Sequence, residues 1–65
     1  MLKNKLKEIR LKEYMMNSRE FAEMLEVKES TYCRWEKCDN NPNLELAYKI
    51  AEKLNKSVTD IWYQQ

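Results

Sequence analysis

At 65 residues the chain sits near the lower limit at which one hydrophobic core holds a domain together, so residues 1–65 are expected to form one domain and a second is excluded. A composition of 43% hydrophobic, 35% charged and 11% aromatic residues is too apolar and too aromatic for a disordered tail. Twelve Lys and Arg against eleven Asp and Glu leave a net charge of +1, which by itself argues for neither nucleic acid nor a membrane.

Glycine is absent and there is a single proline. Short helices joined by polar turns therefore fit better than β-hairpins, whose tight turns usually need glycine, and the expected fold class is all-α. Leu2, Leu6 and Ile9 recur at helical spacing and Tyr14 extends the stripe, so residues 3–14 read as an amphipathic helix 1. After Met15 and Met16, Asn17-Ser18-Arg19-Glu20 has the pattern of a capping box. It opens helix 2, from about Ser18 to Leu25, with Phe21, Ala22 and Leu25 as its buried face. Glu26-Val27-Lys28 is too short to reach far, so helix 3, about Glu29 to Lys37, must turn sharply off helix 2. Tyr32 and Trp35, three apart, face inward and leave Glu29, Ser30, Cys33, Arg34 and Lys37 on a polar outer side.

Cys38-Asp39-Asn40-Asn41-Pro42-Asn43 reads as a turn, because Asn tolerates the left-handed backbone and Pro42 stops a preceding helix. Asn43 is placed to cap helix 4, in which Leu44, Ala47, Ile50, Ala51 and Leu54 keep i, i+3, i+4 order, and Asn55 ends it where Gly is usual. Ser57-Val58-Thr59-Asp60 is a second capping-box pattern, opening a short helix 5 with Val58, Ile61 and Trp62 as its apolar side.

Two local basic clusters stand out from the near-neutral total. Lys3, Lys5, Lys7, Arg10 and Lys12 gather around Glu8, to be read either as a solvated helix face or as phosphate contacts. Lys28, Arg34 and Lys37 cluster around the Tyr/Trp-containing segment. The start of the chain has no apolar run long enough for a signal peptide and no segment approaches transmembrane length, so a cytoplasmic protein without membrane association is expected. Cys33 and Cys38 lie five apart, on different faces of a continuous helix, and there is no His to complete a zinc site. They are expected to be free thiols, with no metal and no cofactor. An enzyme is disfavoured, since the chain offers no His, no glycine-rich phosphate loop and no nucleophile paired with a base.

A helix, a three-residue turn and a second helix with a polar outer face form the unit that places its second helix in a DNA major groove. Three segments carry more specific information: Phe21-Ala22-Glu23-Met24-Leu25-Glu26-Val27, Ser30-Thr31-Tyr32-Cys33-Arg34-Trp35-Glu36, and Asn41-Pro42-Asn43-Leu44-Glu45-Leu46-Ala47. Together with Leu6, Ile9 and Arg10 before them and Lys49-Ile50-Ala51 through Leu54 after, they resemble the Cro/phage-repressor (xenobiotic-response-element-like) helix-turn-helix family over nearly the whole chain.

The resemblance implies a five-helix, lambda-repressor-like fold in which Arg10 and Glu36 form a salt bridge tying helix 1 to the end of helix 3. It implies double-stranded DNA as the partner and sequence-specific transcriptional regulation, by default repression of a phage, mobile-element or plasmid type. Helix 3 would enter the major groove with Glu29, Ser30, Cys33 and Arg34 at base-facing positions. There Arg34 can bind guanine through two parallel hydrogen bonds, while Glu29 is either an acceptor for a cytosine amino group or a carboxylate favoured at a helix N-terminus. Asn17, Ser18, Arg19, Lys28, Thr31, Lys37, Asn40 and Asn41 would hold phosphates, each with an ordinary cap or turn role as the alternative.

The sequence departs from the family at several positions. Position 26 is Glu and position 38 is Cys where Gly is common, position 28 is Lys where a Ser or Thr cap is common, and position 18 is Ser where a Gln is frequent. The Met15-Met16 connection is about one residue longer than the commonest version. A domain of this size buries little DNA, so a homodimer on a two-part site is expected, with Trp62 and Tyr63 of helix 5 as candidate interface residues or, for Trp62, a core role under helix 4. The competing reading is an antitoxin or antirepressor acting mainly through a protein partner, a toxin or another regulator.

Overall fold

The computed structural model describes residues 2–65. In chain order it contains β1 (Leu2–Asn4), α1 (Leu6–Ile9), a π-helical segment (Arg10–Tyr14), α2 (Ser18–Met24), α3 (Glu29–Glu36), α4 (Leu44–Lys53), α5 (Val58–Ile61) and β2 (Trp62–Gln64). The five α-helices match the helical expectation, but a two-stranded antiparallel sheet corrects the all-α reading. Its strands are the two ends of the described chain, with Leu2 opposite Gln64, Lys3 opposite Tyr63 and Asn4 opposite Trp62. No tight turn joins them, which is why the absence of glycine did not exclude them.

The same sheet corrects the first helix. Leu2 and Lys3 are extended rather than helical, and Asn4 breaks the run. Its Oδ1 accepts from the Leu6 N–H at 3.1 Å, an Asx-type turn, while its Nδ2 donates to the Trp35 carbonyl at 2.6 Å. From Arg10 the helix widens, so that the Met15 N–H bonds the Arg10 carbonyl, and Met15 leaves it in the left-handed region at φ 52°. A π turn holds one more residue than an α turn.

Three helix ends share one chemistry. After α2, Glu26 is left-handed, its N–H bonds Glu23 O at 3.0 Å and the Val27 N–H bonds Ala22 O at 3.0 Å. Cys38 with Asp39 closes α3 in this way, and Asn55 with Lys56 closes α4. These are Schellman closures, ordinarily built on Gly, here made by Glu, Cys and Asn at a cost of roughly 1 kcal/mol for each side chain that must sit left-handed. At their N-termini α2 and α4 carry side-chain caps, with Asn17 Oδ1 accepting from Glu20 N and Asn43 Oδ1 from Leu46 N, both at 2.8 Å. Glu20 completes the box by accepting from Asn17 N at 3.1 Å, and at α5 Asp60 accepts from Ser57 N at 3.1 Å.

The core gathers Leu6 and Ile9 of α1, Phe21 and Ala22 of α2, Tyr32 and Trp35 of α3, Ala47, Ile50 and Ala51 of α4, and Ile61 of α5, with Leu25, Leu54 and Trp62 at the element ends. Leu44 leaves the expected α4 stripe: it stands at the first position of the helix, beyond the core edge, and is 69% exposed, while Leu46 packs against the core. Trp62 is buried in β2 rather than on helix 5, which gives it the core role, and Tyr63 beside it is exposed under the Lys5 ammonium.

Candidate nucleic-acid interface

An aromatic chain fixes how α3 sits on α2. Tyr14 meets Phe21 edge-on with ring centroids 5.4 Å apart, Phe21 meets Tyr32 at 5.4 Å, and Tyr32 meets Trp35 at 6.4 Å. Tyr32 and Phe21 are fully buried, so the opposite side of α3 must face outward. The Schellman closure at Glu26 turns the chain between the two helices within four residues, Leu25 to Lys28. Lys28 stands at the N-cap of α3, where an ammonium cannot accept from the helix N–H groups, and its side chain is exposed with no acidic partner within 4 Å among the described residues.

The outward face of α3 brings together Glu29, Ser30, Arg34 and Lys37, all exposed, with Cys33 half-buried among them. Thr31 is half-buried and lies one flank away, towards the Trp35 side. Asn40 and Asn41 are exposed in the loop after α3, and Asn17 and Arg19 are exposed at the start of α2. The Asn17 oxygen is committed to its cap, leaving its amide hydrogens as donors. Arg19 lies 3.7 Å from Glu23 in an exposed pair one helical turn on. The Ser18 hydroxyl donates to Glu29 Oε2 at 3.1 Å, joining the starts of the two helices. Residue-by-residue reading missed this coupling, since it depends on the spatial approach of two chain segments eleven residues apart.

Among the described residues the basic side chains divide into paired and unpaired ones, and Lys3, Lys5 and Lys7 near the start of the chain are unpaired too. Lys12, Lys49, Lys53 and Lys56 have acidic partners within 4 Å. Among the described residues Lys28, Arg34 and Lys37 have none. Their fields reach solvent without local neutralisation, although Glu29 and Asp39 temper the total.

Behind α3 lies a buried polar cluster. Arg10 Nε is 2.8 Å from Glu36 Oε2, Nη2 is 3.4 Å from Oε1, and Nη1 donates to the Met16 carbonyl at 3.0 Å. The two side chains are only 10% and 12% exposed, and this fork holds the π-helical segment to the C-terminal turn of α3. The hydrogen bond to Glu36 is the main reason that the Arg10 guanidinium is raised above its ordinary pKa. Tyr32 Oη lies close enough to the pair to feel both charges but has no hydrogen bond of normal geometry, and burial holds the phenol above its ordinary pKa. At the α2–α3 turn, Lys53 Nζ donates to Glu26 Oε1 at 3.0 Å and to the Leu25 carbonyl at 3.4 Å; the first contact holds the Glu26 carboxyl below its ordinary range. Asn4, which reading along the sequence also missed, ties β1 to the end of α3 through the Trp35 carbonyl.

Both cysteines are free thiols. Among the described residues no group of three His, Cys, Asp or Glu side chains is placed to hold a metal ion, and no helix is long and apolar enough to cross a membrane.

A helix-turn-helix family model matches residues 6–61, from the first residue of α1 to the last of α5. Two similar proteins, both from Archaeoglobus fulgidus, are named as uncharacterized HTH-type transcriptional regulators. One is 38% identical over 61 residues, covering 94% of this chain and 84% of the relative. The other is 36% identical over 61 residues, covering 94% of this chain and 86% of the relative.

Proposed function

The chain belongs to the Cro/phage-repressor type of helix-turn-helix family, and on that premise we propose that it is a DNA-binding transcriptional regulator that reads a duplex with α3. The observation that carries this is the outward face of α3, on which Arg34 and Lys37, with Lys28 at the entrance, stand without acidic partners among the described residues. In this reading α3 enters the major groove and α2 lies across the backbone. Arg34 binds guanine O6 and N7, with Glu29, Ser30 and Cys33 as its base-facing neighbours. Asn17, Arg19, Lys28, Lys37, Asn40 and Asn41 hold phosphates, Asn17 through its uncommitted amide hydrogens, and Thr31 reaches a phosphate only from the flank of the helix.

The chemistry is binding rather than turnover. A protein of this kind acts by occupying a site, and repression by obstruction of polymerase is its simplest output. Two copies on a two-part site supply the contact area that one domain lacks, and the cytoplasm is the compartment in which such a regulator meets DNA. The test is the salt dependence of binding to duplex fragments from upstream of its own gene, followed by fluorescence anisotropy. Lys28→Ala and Lys37→Ala are each expected to weaken binding uniformly across sequences and to reduce the slope of log K against log salt by about 1. Unchanged slopes in both variants would remove these lysines from the interface.

A further inference from the structure

Within the DNA-reading surface, one side-chain hydrogen bond joins α2 to α3 among the described residues, from Ser18 Oγ to Glu29 Oε2 at 3.1 Å. Its direction is fixed by chemistry. An ionised carboxylate only accepts and a serine hydroxyl has one proton, so Ser18 is the donor and Glu29 the acceptor. That proton, once given to Glu29, is withdrawn from every other acceptor. A phosphate oxygen also only accepts, so the Ser18 hydroxyl offers it nothing while the bond stands, and only the backbone N–H at the start of α2 remains as a donor there.

The same bond acts on Glu29. This carboxylate is exposed at the first position of α3, on a flexible side chain, beside a surface built to meet phosphates. Left alone it would swing away from phosphate charge. Held by Ser18 through Oε2, it keeps Oε1 free to accept a further hydrogen bond at the exposed start of α3. In the major groove, cytosine presents only its N4 amino hydrogens as a polar group, whereas adenine sets its N6 donor beside the N7 acceptor, whose lone pair repels a carboxylate.

We infer that Ser18 is a positioning residue for base readout, holding Glu29 so that its carboxylate accepts from the N4 amino group of one cytosine, and that its hydroxyl is not a phosphate anchor. This rests on the DNA-binding reading of α3 and names one base-pair preference within it. It replaces the phosphate role expected for Ser18 from the sequence.

The experiment is selection from a randomised duplex library with the full chain, in four forms: native, Glu29→Ala, Ser18→Ala and Ser18→Thr. Relative affinities are then measured for the enriched duplex and for versions changed at single base pairs. Thermal melts check that each form is folded; Ser18 is at the first position of α2, where Ala is well tolerated. Glu29→Ala is expected to erase a preference for cytosine at one pair. Ser18→Ala is expected to reduce discrimination at that same pair by roughly tenfold, to leave the other preferences in place, and to be rescued by Ser18→Thr, which keeps the hydroxyl. A Ser18→Ala protein that loses affinity equally on every duplex would make Ser18 a phosphate anchor and overturn the inference. So would an unchanged preference at the Glu29 pair, or a Glu29-dependent pair other than cytosine–guanine. Failure of the native chain to enrich any sequence would overturn the DNA reading itself, and that outcome is visible before any variant is compared.

Discussion

Replacing Arg10 by Ala removes the fork that joins the π-helical segment to α3. Three acceptors are left behind: both oxygens of Glu36 and the Met16 carbonyl, at 2.8, 3.4 and 3.0 Å from the lost nitrogens. The Glu36 side chain is only 12% exposed, so water cannot fully take over, and the variant carries a stranded charge next to the buried Tyr32 hydroxyl. Stranding one partner of a buried pair costs about 3–5 kcal/mol. In a small domain no site is far from solvent, and we take the lower end, about 3 kcal/mol. Total stability at this size is on the order of 3–10 kcal/mol, so much of it is at risk. At about 4–8 °C per kcal/mol, the melting temperature should fall by roughly 12–24 °C. Thermal unfolding followed by circular dichroism measures this directly. The double variant Arg10→Met with Glu36→Leu removes both charges together and should recover most of the loss, because the damage lies in the unpaired charge rather than in the attraction forgone. A shift below about 3 °C in Arg10→Ala, or a double variant as unstable as the single one, would refute the reasoning.

Met15 is left-handed at φ 52° and 83% exposed, so Met15→Gly relieves the backbone without loss of packing and should stabilise by about 0.5–1 kcal/mol, read as a rise in the denaturation midpoint. Cys38→Gly should act in the same direction at φ 63°, less the weak contact that Asn4 Nδ2 makes with the Cys38 sulfur at 3.9 Å. Burial holds the Tyr32 phenol above its ordinary value of 10.0, so folding favours its neutral form: the associated stability is complete below pH 10.0 and is lost as pH rises towards the folded pKa. Tyr32→Phe should therefore melt near the native temperature at pH 7 and lose less stability than the native chain above pH 10.0, as followed by melts across the alkaline range. At the acid end, the Lys53 hydrogen bond lowers the Glu26 pKa and the Ser57 backbone hydrogen bond lowers that of Asp60. Their contributions are present above the unfolded values of 4.5 and 3.8 and are lost as pH falls through the folded ones, so Lys53→Met should flatten part of the acid limb.

Caps and periodicity made most of the helical framework legible from the sequence. Asn17 with Glu20 and Asn43 before Leu44 marked helix starts through side chains that bond nearby backbone, a local interaction that needs no tertiary information. The left-handed exits at Glu26 and Cys38 were approachable through the resemblance, which puts Gly at those positions, and the exit at Asn55 through its place just after the last apolar residue of α4. What escaped was non-local. Leu2 fits a helical stripe as well as a strand, and only the partner strand 62–64, at the far end of the chain, decides between them. Leu44 kept the α4 period yet fell outside the core, because a period defines a face but not how far along the helix its neighbours extend. In the candidate site, the outward face of α3 followed from Tyr32 and Trp35 being apolar. The Ser18–Glu29 bond did not follow, since two exposed polar residues on different helices carry no sign in sequence that they meet.

The central claim, that α3 reads base pairs, is tested most directly by comparing native protein with Arg34→Ala on a specific duplex and on unrelated DNA of equal length, at low and at moderate salt. Arg34 is exposed, so its loss should leave the fold and the melting temperature intact. The expected result is native binding that saturates on one duplex and weakens with salt, and a variant that loses about 1–3 kcal/mol of preference for that duplex while still binding DNA at low salt. A folded Arg34→Ala protein that discriminates as well as the native chain would contradict readout by this face of α3.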